Sequence, residues 1–254
     1  MSIVVRELAP HVVELRLDRP ERMNALSVAM VEAMAEALDG IAAGKARMLV
    51  VSASGRAFCA GADLKERREM DAVRRLAHNA GINAAINAVA ALPMPTLAAI
   101  NGAALGGGCE LALACDLRIA AEQASIGLTE SRIGVYPAAG GTQRLPRLVG
   151  ASRALELMFT AEPVSGRRAA EIGLVNEAVT AERLNERVRE LATLVASRSP
   201  NSLRTIKRLV TAGTALPLAD GLALERAALP EVFASADYAE GLAAFAEKRP
   251  PRFG

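Results

Sequence analysis

Aromatic residues and histidines are scarce in this chain of 254 residues. Tryptophan is absent, there are two tyrosines, and aromatic residues make up 3% of the sequence. Proteins that hold single-stranded nucleic acids stack the bases on aromatic side chains, so this composition argues against such a platform. The two histidines, His11 and His78, do not lie near a nucleophile motif. This argues against a Ser-His-Asp triad and against a histidine-rich zinc site.

Charge imbalance and long apolar runs are lacking as well. The net charge of +2 is too small to predict nucleic-acid binding by bulk electrostatics. No window is apolar over the length that a membrane-spanning helix needs, and the start of the chain has no pattern of a signal peptide. The three cysteines, Cys59, Cys109 and Cys115, lie among small apolar residues and are expected to be free thiols in a reducing compartment. We therefore expect a cytoplasmic protein without a membrane or nucleic-acid partner.

Apolar residues are plentiful, and they follow regular patterns. They make up 52% of the chain, enough for a large core. The segments "IVVREL" and "HVVELRL" predict a β-hairpin, and "LSVAMVEAMAEALDGI" predicts an amphipathic helix with Ser27 as its cap. Buried strands are predicted at "ARMLVVSA", "TLAAI" and "LRIAA", with helical segments between them. This alternation indicates an α/β fold in which helices cover the sheets.

The pattern changes near Ser199 and Pro200. From there to the C-terminus, the sequence predicts one helix after another and no strand. We therefore divide the chain into an α/β core over residues 1–199 and a C-terminal helical region over residues 200–254.

Two glycine-containing loops each follow a predicted strand and lead into a helix. The first is "FCAGAD" (58–63) and the second is "GAALGGGCE" (102–110). Small residues let backbone N–H groups approach a ligand closely, and a helix N-terminus adds partial positive charge. Two such loops can aim two N–H groups at one oxygen, which is the geometry of an oxyanion hole. Either loop taken alone is equally explained by tight packing, and the second loop does not match the G-x-G-x-x-G or G-K-[ST] phosphate motifs.

Five segments, taken in order, carry a more specific signal. They are "LDRPERMNALS", "AFCAGADLKE", "AAINGAALGGGCELALACDLRIA", "IGLTESRIGVYPAAGGTQRLPRLVG" and "EGLAAFAEKRPPRF". Together they resemble the successive signatures of the enoyl-CoA hydratase/isomerase (crotonase) superfamily, over nearly the whole chain. The resemblance implies a spiral of ββα units followed by C-terminal helices that build a trimer, often a dimer of trimers. It also implies an acyl-CoA thioester as ligand. No metal and no cofactor beyond the coenzyme A of the substrate is expected.

The resemblance assigns catalytic roles to four residues. The N–H groups of Ala62 and Gly107 would form the oxyanion hole, while Glu110 and Glu130 match the two glutamates of hydratases. Adding water to a 2-enoyl thioester needs a base for the water at C3 and an acid at C2, and two carboxylates in different environments can fill these roles. We assign Glu110 as the base and Glu130 as the proton donor. Without the family context, each would be taken as a first-turn helix glutamate.

The resemblance also suggests contacts for the coenzyme and the acyl group. Arg22 and Lys65 match positions where the family places cations near the phosphates, although a solvated surface position explains them equally well. Tyr136 stands where many relatives have an aliphatic residue, at the expected acyl pocket. Further coenzyme contacts are expected from Ala25, Ala60, Asp63, Phe245 and Lys248, the last two from the adenine side and in reach of a neighbouring subunit. Asp116 is interpreted as a structural residue.

The leading functional hypothesis is an enoyl-CoA hydratase that makes 3-hydroxyacyl-CoA from trans-2-enoyl-CoA, in fatty-acid or related acyl-CoA degradation. An isomerase that moves the double bond between C3 and C2 can work with one carboxylate, so the presence of Glu110 argues against it. A hydratase for a branched or glutaconyl-type enoyl-CoA is a further alternative. Loss of either glutamate would indicate a non-catalytic acyl-CoA-binding or RNA-binding relative, and both glutamates are present.

Overall fold

The computed structural model describes residues 2–254 as a mixed α/β fold. The strands are β1 (Ile3–Ala9), β2 (Val12–Leu17), β3 (Met48–Ala53), β4 (Ala57–Cys59), β5 (Thr96–Ile100), β6 (Ala103–Leu105), β7 (Leu117–Ala121), β8 (Ser125–Gly127), β9 (Val164–Ser165) and β10 (Glu177–Val179). The helices are α1 (Val28–Ala43), α2 (Leu64–Arg68), α3 (Ala72–Ala91), α4 (Gly107–Ala114), α5 (Gly141–Val149), α6 (Ala151–Thr160), α7 (Gly166–Glu171), α8 (Ala181–Ala196), α9 (Pro200–Gly213), α10 (Leu218–Phe233) and α11 (Ala236–Ala246). Short 3-10 helices cover Pro20–Arg22 and Glu130–Ile133.

From β3 to β8, consecutive strands alternate between two sheets. The larger sheet has the order β1-β2-β3-β5-β7-β10, and the smaller sheet has the order β4-β6-β8-β9. The strand pairs β3 and β4, β5 and β6, and β7 and β8 form three successive units. In each unit the first strand belongs to the larger sheet, the second belongs to the smaller sheet, and a helix follows. Equivalent strands of successive units pair in parallel. This spiral of ββα units places the segments that follow β4 and β6 next to each other.

The hairpin and the first helix agree with the sequence prediction. Strands β1 and β2 pair antiparallel. Helix α1 begins after Ser27, whose Oγ accepts a hydrogen bond from the N–H of Met30 at 3.2 Å. This bond satisfies one of the free N–H groups of the first turn. The apolar face of α1 is buried against the core.

The sequence prediction was wrong about the two glycine-containing segments in one respect. Strand β4 overlaps the start of the segment interpreted as the first loop, and β6 lies within the second. Each strand has three residues, which is too short to show a readable alternation of apolar and polar side chains. Pairing in the smaller sheet stabilises them, and this is a long-range interaction.

Helix α9, the first of the three C-terminal helices, contacts the core through a partly buried polar interaction. The Nζ of Lys207 in α9 lies 2.8 Å from Asp116 Oδ2 and donates to the carbonyl oxygen of Met94 at 3.1 Å. The same Asp116 oxygen accepts from the N–H and the hydroxyl of Thr96. Asp116 therefore ties β5 to the C-terminal region. The division of the chain at residues 199 and 200 stays a prediction.

Two expectations about composition can be placed in the structure. Cys59, Cys109 and Cys115 are free and buried, and burial raises the pKa of Cys59 and Cys115 to about 12. These thiols stay protonated at neutral pH and are packing residues. None of the helices within residues 2–254 combines the length and the apolar content needed to cross a bilayer.

Candidate active site

The two glycine-containing segments meet at the N-terminus of α4. Gly61 adopts a φ of +90°, and a Cβ at this position would lie 2.8 Å from the carbonyl oxygen of Leu105. Glycine is required here because it accepts this backbone conformation and permits the close approach. A Cβ on Gly107 would lie 3.7 Å from the backbone nitrogen of Ala62, so the two predicted oxyanion-hole residues are neighbours.

The N–H groups of Ala62 and Gly107 are both left out of the surrounding backbone ladders. Ala62 lies opposite Leu26 in a parallel bridge in which Leu26 donates to the Gly61 oxygen and accepts from the Asp63 N–H. These two hydrogen bonds use the carbonyl oxygen of Gly61 and the N–H of Asp63, so the N–H of Ala62 takes no part in the bridge. Gly107 is the first residue of α4, where an N–H has no partner within the helix. Two adjacent N–H donors of this kind can stabilise an oxyanion.

A histidine that the sequence analysis set aside supports this arrangement. His78 is 5% exposed, and its Nε2 lies 3.0 Å from the carbonyl oxygen of Leu26. Its Nδ1 accepts a hydrogen bond from Arg67 Nε at 3.3 Å, so Nε2 carries the proton and donates to Leu26. Burial and the charge of Arg67 lower the pKa of His78 and keep the ring neutral. An isolated histidine in a helical segment gives no sequence signal for this role.

Glu110 lies in the first turn of α4 with 3% of its surface exposed. Its Oε1 accepts hydrogen bonds from the N–H groups of Ala139 at 2.7 Å and Gly141 at 2.8 Å. Burial raises the pKa of Glu110, while the two N–H groups and the charges of Arg144 and Arg67 oppose this effect. The carboxylate in an otherwise apolar helix is therefore stabilised by specific donors rather than by solvent.

Glu130 is in a different environment. It begins the 3-10 helix, and a Cβ on Gly106 would lie 3.2 Å from its Oε1, which places the carboxyl group beside the start of α4. Its Oε2 is buried and has no hydrogen-bond partner in residues 2–254. Burial raises the pKa of Glu130 to about 7, and the charge of Glu110 adds to this effect.

The environments of the two carboxyl groups favour different protonation states. Hydrogen bonds from two N–H groups favour the ionised form of Glu110, whereas the unpartnered oxygen of Glu130 favours the protonated form. Pairs of titratable groups whose environments push their pKa values apart are suited to acid–base catalysis. The charge of Glu110 raises the pKa of Glu130, so the protonation of Glu130 depends on that of Glu110.

The predicted coenzyme cations come together on one side of the molecule. Arg22 and Lys65 line a cavity of about 440 Å³ together with Arg19, Ser27, Asp63 and Glu66. Neither Arg22 nor Lys65 forms an ion pair with any carboxylate of the described chain, whereas Arg19 pairs with Asp63 at 2.8 Å. Two unpaired cations at one cavity suit an anionic ligand.

Both carboxylate oxygens of Asp63 accept hydrogen bonds from other groups of the protein. Its Oδ1 caps α2 by accepting from the N–H groups of Lys65 and Glu66, and its Oδ2 accepts from Arg19. Burial acts to raise the pKa of Asp63, but the hydrogen bonds from Arg19 and Glu66 outweigh it and lower the pKa. These contacts make Asp63 a support for the loop and for Arg19, and its predicted contact with the coenzyme stays a prediction.

The remaining predicted contacts lie around this region or at the surface. The Ala60 N–H donates to Met23, and the Ala25 carbonyl oxygen accepts from Arg19 at 3.2 Å. Tyr136 is 70% exposed, and Phe245 is 86% exposed near the end of α11. Phe245 and Lys248 do not line the cavity of Arg22 and Lys65. Their roles stay predictions, as do those of Ala25, Ala60 and Tyr136. Among residues 2–254, no three histidine, cysteine or acidic side chains are grouped as metal ligands.

Comparisons with known proteins agree with the fold and the motifs. The sequence model of the family "Enoyl-CoA hydratase/isomerase" matches residues 7–254. A probable mitochondrial enoyl-CoA hydratase 2 from Arabidopsis thaliana is 41% identical over 95% of this chain and 81% of that protein. Human mitochondrial methylglutaconyl-CoA hydratase is 40% identical over 95% of this chain and 73% of that protein. A crystal structure of enoyl-CoA hydratase from Bacillus anthracis is 44% identical and has a TM-score of 0.98, covering 100% of this chain and 99% of that one. The chain belongs to the enoyl-CoA hydratase/isomerase family.

Proposed function

We propose that this protein is an enoyl-CoA hydratase, which adds water to trans-2-enoyl-CoA and forms 3-hydroxyacyl-CoA. The observation that carries the proposal is the pair of Glu110 and Glu130 beside two free N–H donors. One carboxyl group accepts two backbone hydrogen bonds, and the other has a buried oxygen without a partner and a pKa raised to about 7. Water addition requires a base and an acid of this kind at adjacent carbon atoms.

The oxyanion hole acts on the thioester carbonyl group. In the proposed complex, the carbonyl oxygen accepts hydrogen bonds from the N–H groups of Ala62 and Gly107. These donors withdraw electron density from the conjugated system and make C3 electrophilic. Negative charge grows on the same oxygen as the enolate forms, so the donors bind the transition state more strongly than the substrate. The N-terminus of α4 contributes its partial positive charge at this point.

The two glutamates move the protons. As the water oxygen bonds to C3, Glu110 accepts a proton from that water, and the electrons of the C2–C3 double bond shift toward the thioester. Glu130 then gives its proton to C2, and the enolate returns to a carbonyl group. Glu110 is left protonated and Glu130 ionised, so one proton must pass from Glu110 to Glu130, directly or through solvent, before the next turnover.

A direct experiment can distinguish the proposed hydratase from the alternative hypothesis of an isomerase. Hydration of crotonyl-CoA and isomerisation of a 3-enoyl-CoA are measured in the wild type and in the Glu110→Gln and Glu130→Gln variants. The proposal expects both variants to lose hydration. An isomerase would keep its double-bond shift in Glu110→Gln and lose it in Glu130→Gln. Hydration at the wild-type rate in Glu110→Gln would refute the mechanism.

A glutaconyl-type substrate is a second candidate because of Arg67. Its guanidinium contacts only His78 and Asn79, each at 3.3 Å, and no carboxylate of residues 2–254 lies within 4.0 Å of it. Burial lowers the pKa of Arg67, and the charge of Glu110 opposes this. A partly buried cation near the catalytic base would gain a partner from a substrate with a distal carboxylate. The likeness to human methylglutaconyl-CoA hydratase supports the same candidate.

The substrate candidate is tested with Arg67→Gln and with Arg68→Gln as the matched control, since Arg68 is exposed at the adjacent position. The kcat/KM for glutaconyl-CoA is compared with that for crotonyl-CoA. If Arg67 binds the distal carboxylate, its loss lowers the glutaconyl-CoA value roughly tenfold or more relative to the crotonyl-CoA value. Equal losses for both substrates would remove the argument for this candidate.

A further inference from the structure

A polar cavity lies outside the active site, between the first strands of the larger sheet and α8. Its volume is about 230 Å³. The polar side chains that line it include Arg6, Glu14, Arg16, Ser52, Asn101 and Arg189. Apolar residues of the sheet and of α8 surround them, among them Val50, Ala99, Leu184 and Val188. The cavity contains none of the residues assigned to catalysis or to coenzyme binding, so it requires its own explanation.

The strand register brings the polar residues to one face of the sheet. Side chains two positions apart in a strand point to the same face, as Glu14 and Arg16 do in β2. Arg16 pairs with Ser52 of β3, and Glu14 pairs with Arg6 of β1. Polar groups on a sheet face that a helix covers need hydrogen-bond partners.

The single carboxylate of the cavity is fully used by its neighbours. Glu14 is 6% exposed, its Oε1 accepts from the Ser52 hydroxyl at 2.7 Å, and its Oε2 forms an ion pair with Arg6. In contrast, Arg16 and Arg189 form no ion pair with any carboxylate in the described part of the chain. The cavity therefore carries the positive charge of two guanidinium groups that the protein does not neutralise.

Two buried polar atoms at this cavity also lack a partner within residues 2–254. They are the Nε of Arg16, which is a donor, and the Oδ1 of Asn101, which is an acceptor. The amide of Asn101 is held in place because its Nδ2 donates to the Gly55 carbonyl oxygen at 2.8 Å. A ligand that satisfies both atoms must accept a hydrogen bond from the guanidinium and donate one to the amide oxygen.

We propose that this cavity binds a small oxyanion that keeps a proton, of the size and charge of hydrogen phosphate. Its charged oxygens accept hydrogen bonds from Arg16 and Arg189, and its hydroxyl donates to Asn101. Arginine is suited to this task because its planar guanidinium presents several donors to one oxyanion. The ligand would join β2 to α8 and would stabilise their packing. The proposal is independent of the proposed hydratase activity.

The test uses sodium phosphate at neutral pH, with sodium chloride at matched ionic strength as the reference. Calorimetry gives the affinity, and thermal unfolding gives the shift of Tm, which rises with ligand concentration when a ligand binds only the folded protein. We expect saturable binding to the wild type. We expect roughly tenfold weaker binding in Arg16→Gln and in Arg189→Gln. Arg153→Gln on α6 is the matched control, because its exposed arginine forms no ion pair in residues 2–254, and it should bind as the wild type does.

Three results would overturn the proposal. One is the absence of a phosphate effect beyond that of chloride, which would mean that water alone satisfies these groups. Another is an unchanged affinity for phosphate in both Arg16→Gln and Arg189→Gln. Because Arg189 is exposed on α8, we expect Arg189→Gln to fold, so the test can still be made if Arg16→Gln does not fold. The last is binding that is lost in Arg22→Gln but retained in Arg16→Gln, which would place the phosphate at the coenzyme side.

Discussion

The spiral core and the C-terminal helices bury their apolar side chains to very different degrees. Helix α1 buries five apolar residues, whereas α9 buries none, and α10 and α11 each bury a single alanine. The exposed large apolar residues of the C-terminal region are Ile206, Val210, Leu216, Leu218, Leu222, Leu229, Phe233, Tyr238, Leu242 and Phe245. Exposed apolar groups of this extent mark an interaction surface. The core brings its candidate catalytic groups together within one chain, whereas the C-terminal helices present an apolar surface that suits a contact with a neighbouring protein.

The largest effect is expected where the core holds its two carboxyl groups. Glu110→Gln and Glu130→Gln should each lower kcat for hydration by roughly 10²–10⁴-fold, because each removes one partner of the acid–base pair. The double variant should lose much less than the product of the two effects, since residues that act together are not additive. Binding of a saturated acyl-CoA should change little because Ala62 and Gly107 remain. Multiplicative losses in the double variant would contradict a shared role.

The pH dependence should also originate in the core. Glu130 must be protonated to donate to C2, so kcat/KM should fall about tenfold per pH unit above the pKa of about 7.

The linked effect on stability has a defined sign. A carboxyl group whose pKa is raised on folding stabilises the protein least when it is ionised, so this contribution declines as pH rises toward 7. Glu130→Gln should flatten the dependence of Tm on pH between 4.5, the ordinary pKa of the side chain, and about 7, relative to the wild type. A wild-type Tm whose pH dependence through this range equals that of Glu130→Gln would argue against a raised pKa of Glu130.

The C-terminal region should instead control assembly. We expect a trimer or a hexamer, and Leu222→Lys combined with Leu229→Lys should dissociate it, because both residues lie on one exposed face of α10. Ala223→Lys changes an exposed small residue on the same helix and serves as the control. Light scattering at micromolar concentration reports the mass. A wild-type monomer would refute the expected assembly.

A smaller effect is expected at the coenzyme side of the core. Arg22→Gln should raise KM several-fold while kcat stays within about twofold, because a phosphate contact far from the reacting atoms contributes uniform binding. The matched control is Arg153→Gln, which removes the same charge from an exposed position on α6. A loss in kcat with unchanged KM would show that Arg22 does not act through coenzyme binding.

The smallest effect, none, is expected from metal removal. The proposed mechanism uses two N–H groups and two carboxyl groups and needs no metal ion. Hydration measured after treatment with a chelator should equal that of the untreated protein. Activity that disappears with the chelator and returns with one divalent ion would contradict the mechanism.

Local sequence patterns predicted the hairpin, α1, the strands β3, β5 and β7 of the larger sheet and the all-helical C-terminus, because each depends on the periodicity of neighbouring residues. They did not predict β10, the last strand of that sheet. The family motifs pointed to Glu110 and Glu130, but the donors that hold Glu110 could not be read from the sequence. Ala139 lies 29 residues away and contributes only its backbone N–H, which any residue except proline has. The contact of His78 with the backbone of Leu26 spans 52 residues, and it could not be predicted from the sequence for the same reason.

The hydrogen bonds to Glu110 also have a consequence for how this family can diversify. Because backbone groups orient Glu110, the exposed residues Val135 and Tyr136 can change their side chains without changing the position of this carboxylate. The positive φ of Gly134 and Gly140 constrains those two positions, and the N–H groups that donate to Glu110 constrain positions 139 and 141. Proline is excluded at both, and a Cβ on Gly141 would lie 2.7 Å from Pro137 and 3.1 Å from Glu110 Oε1. Substrate preference and acid–base chemistry can therefore evolve separately along one short stretch of chain.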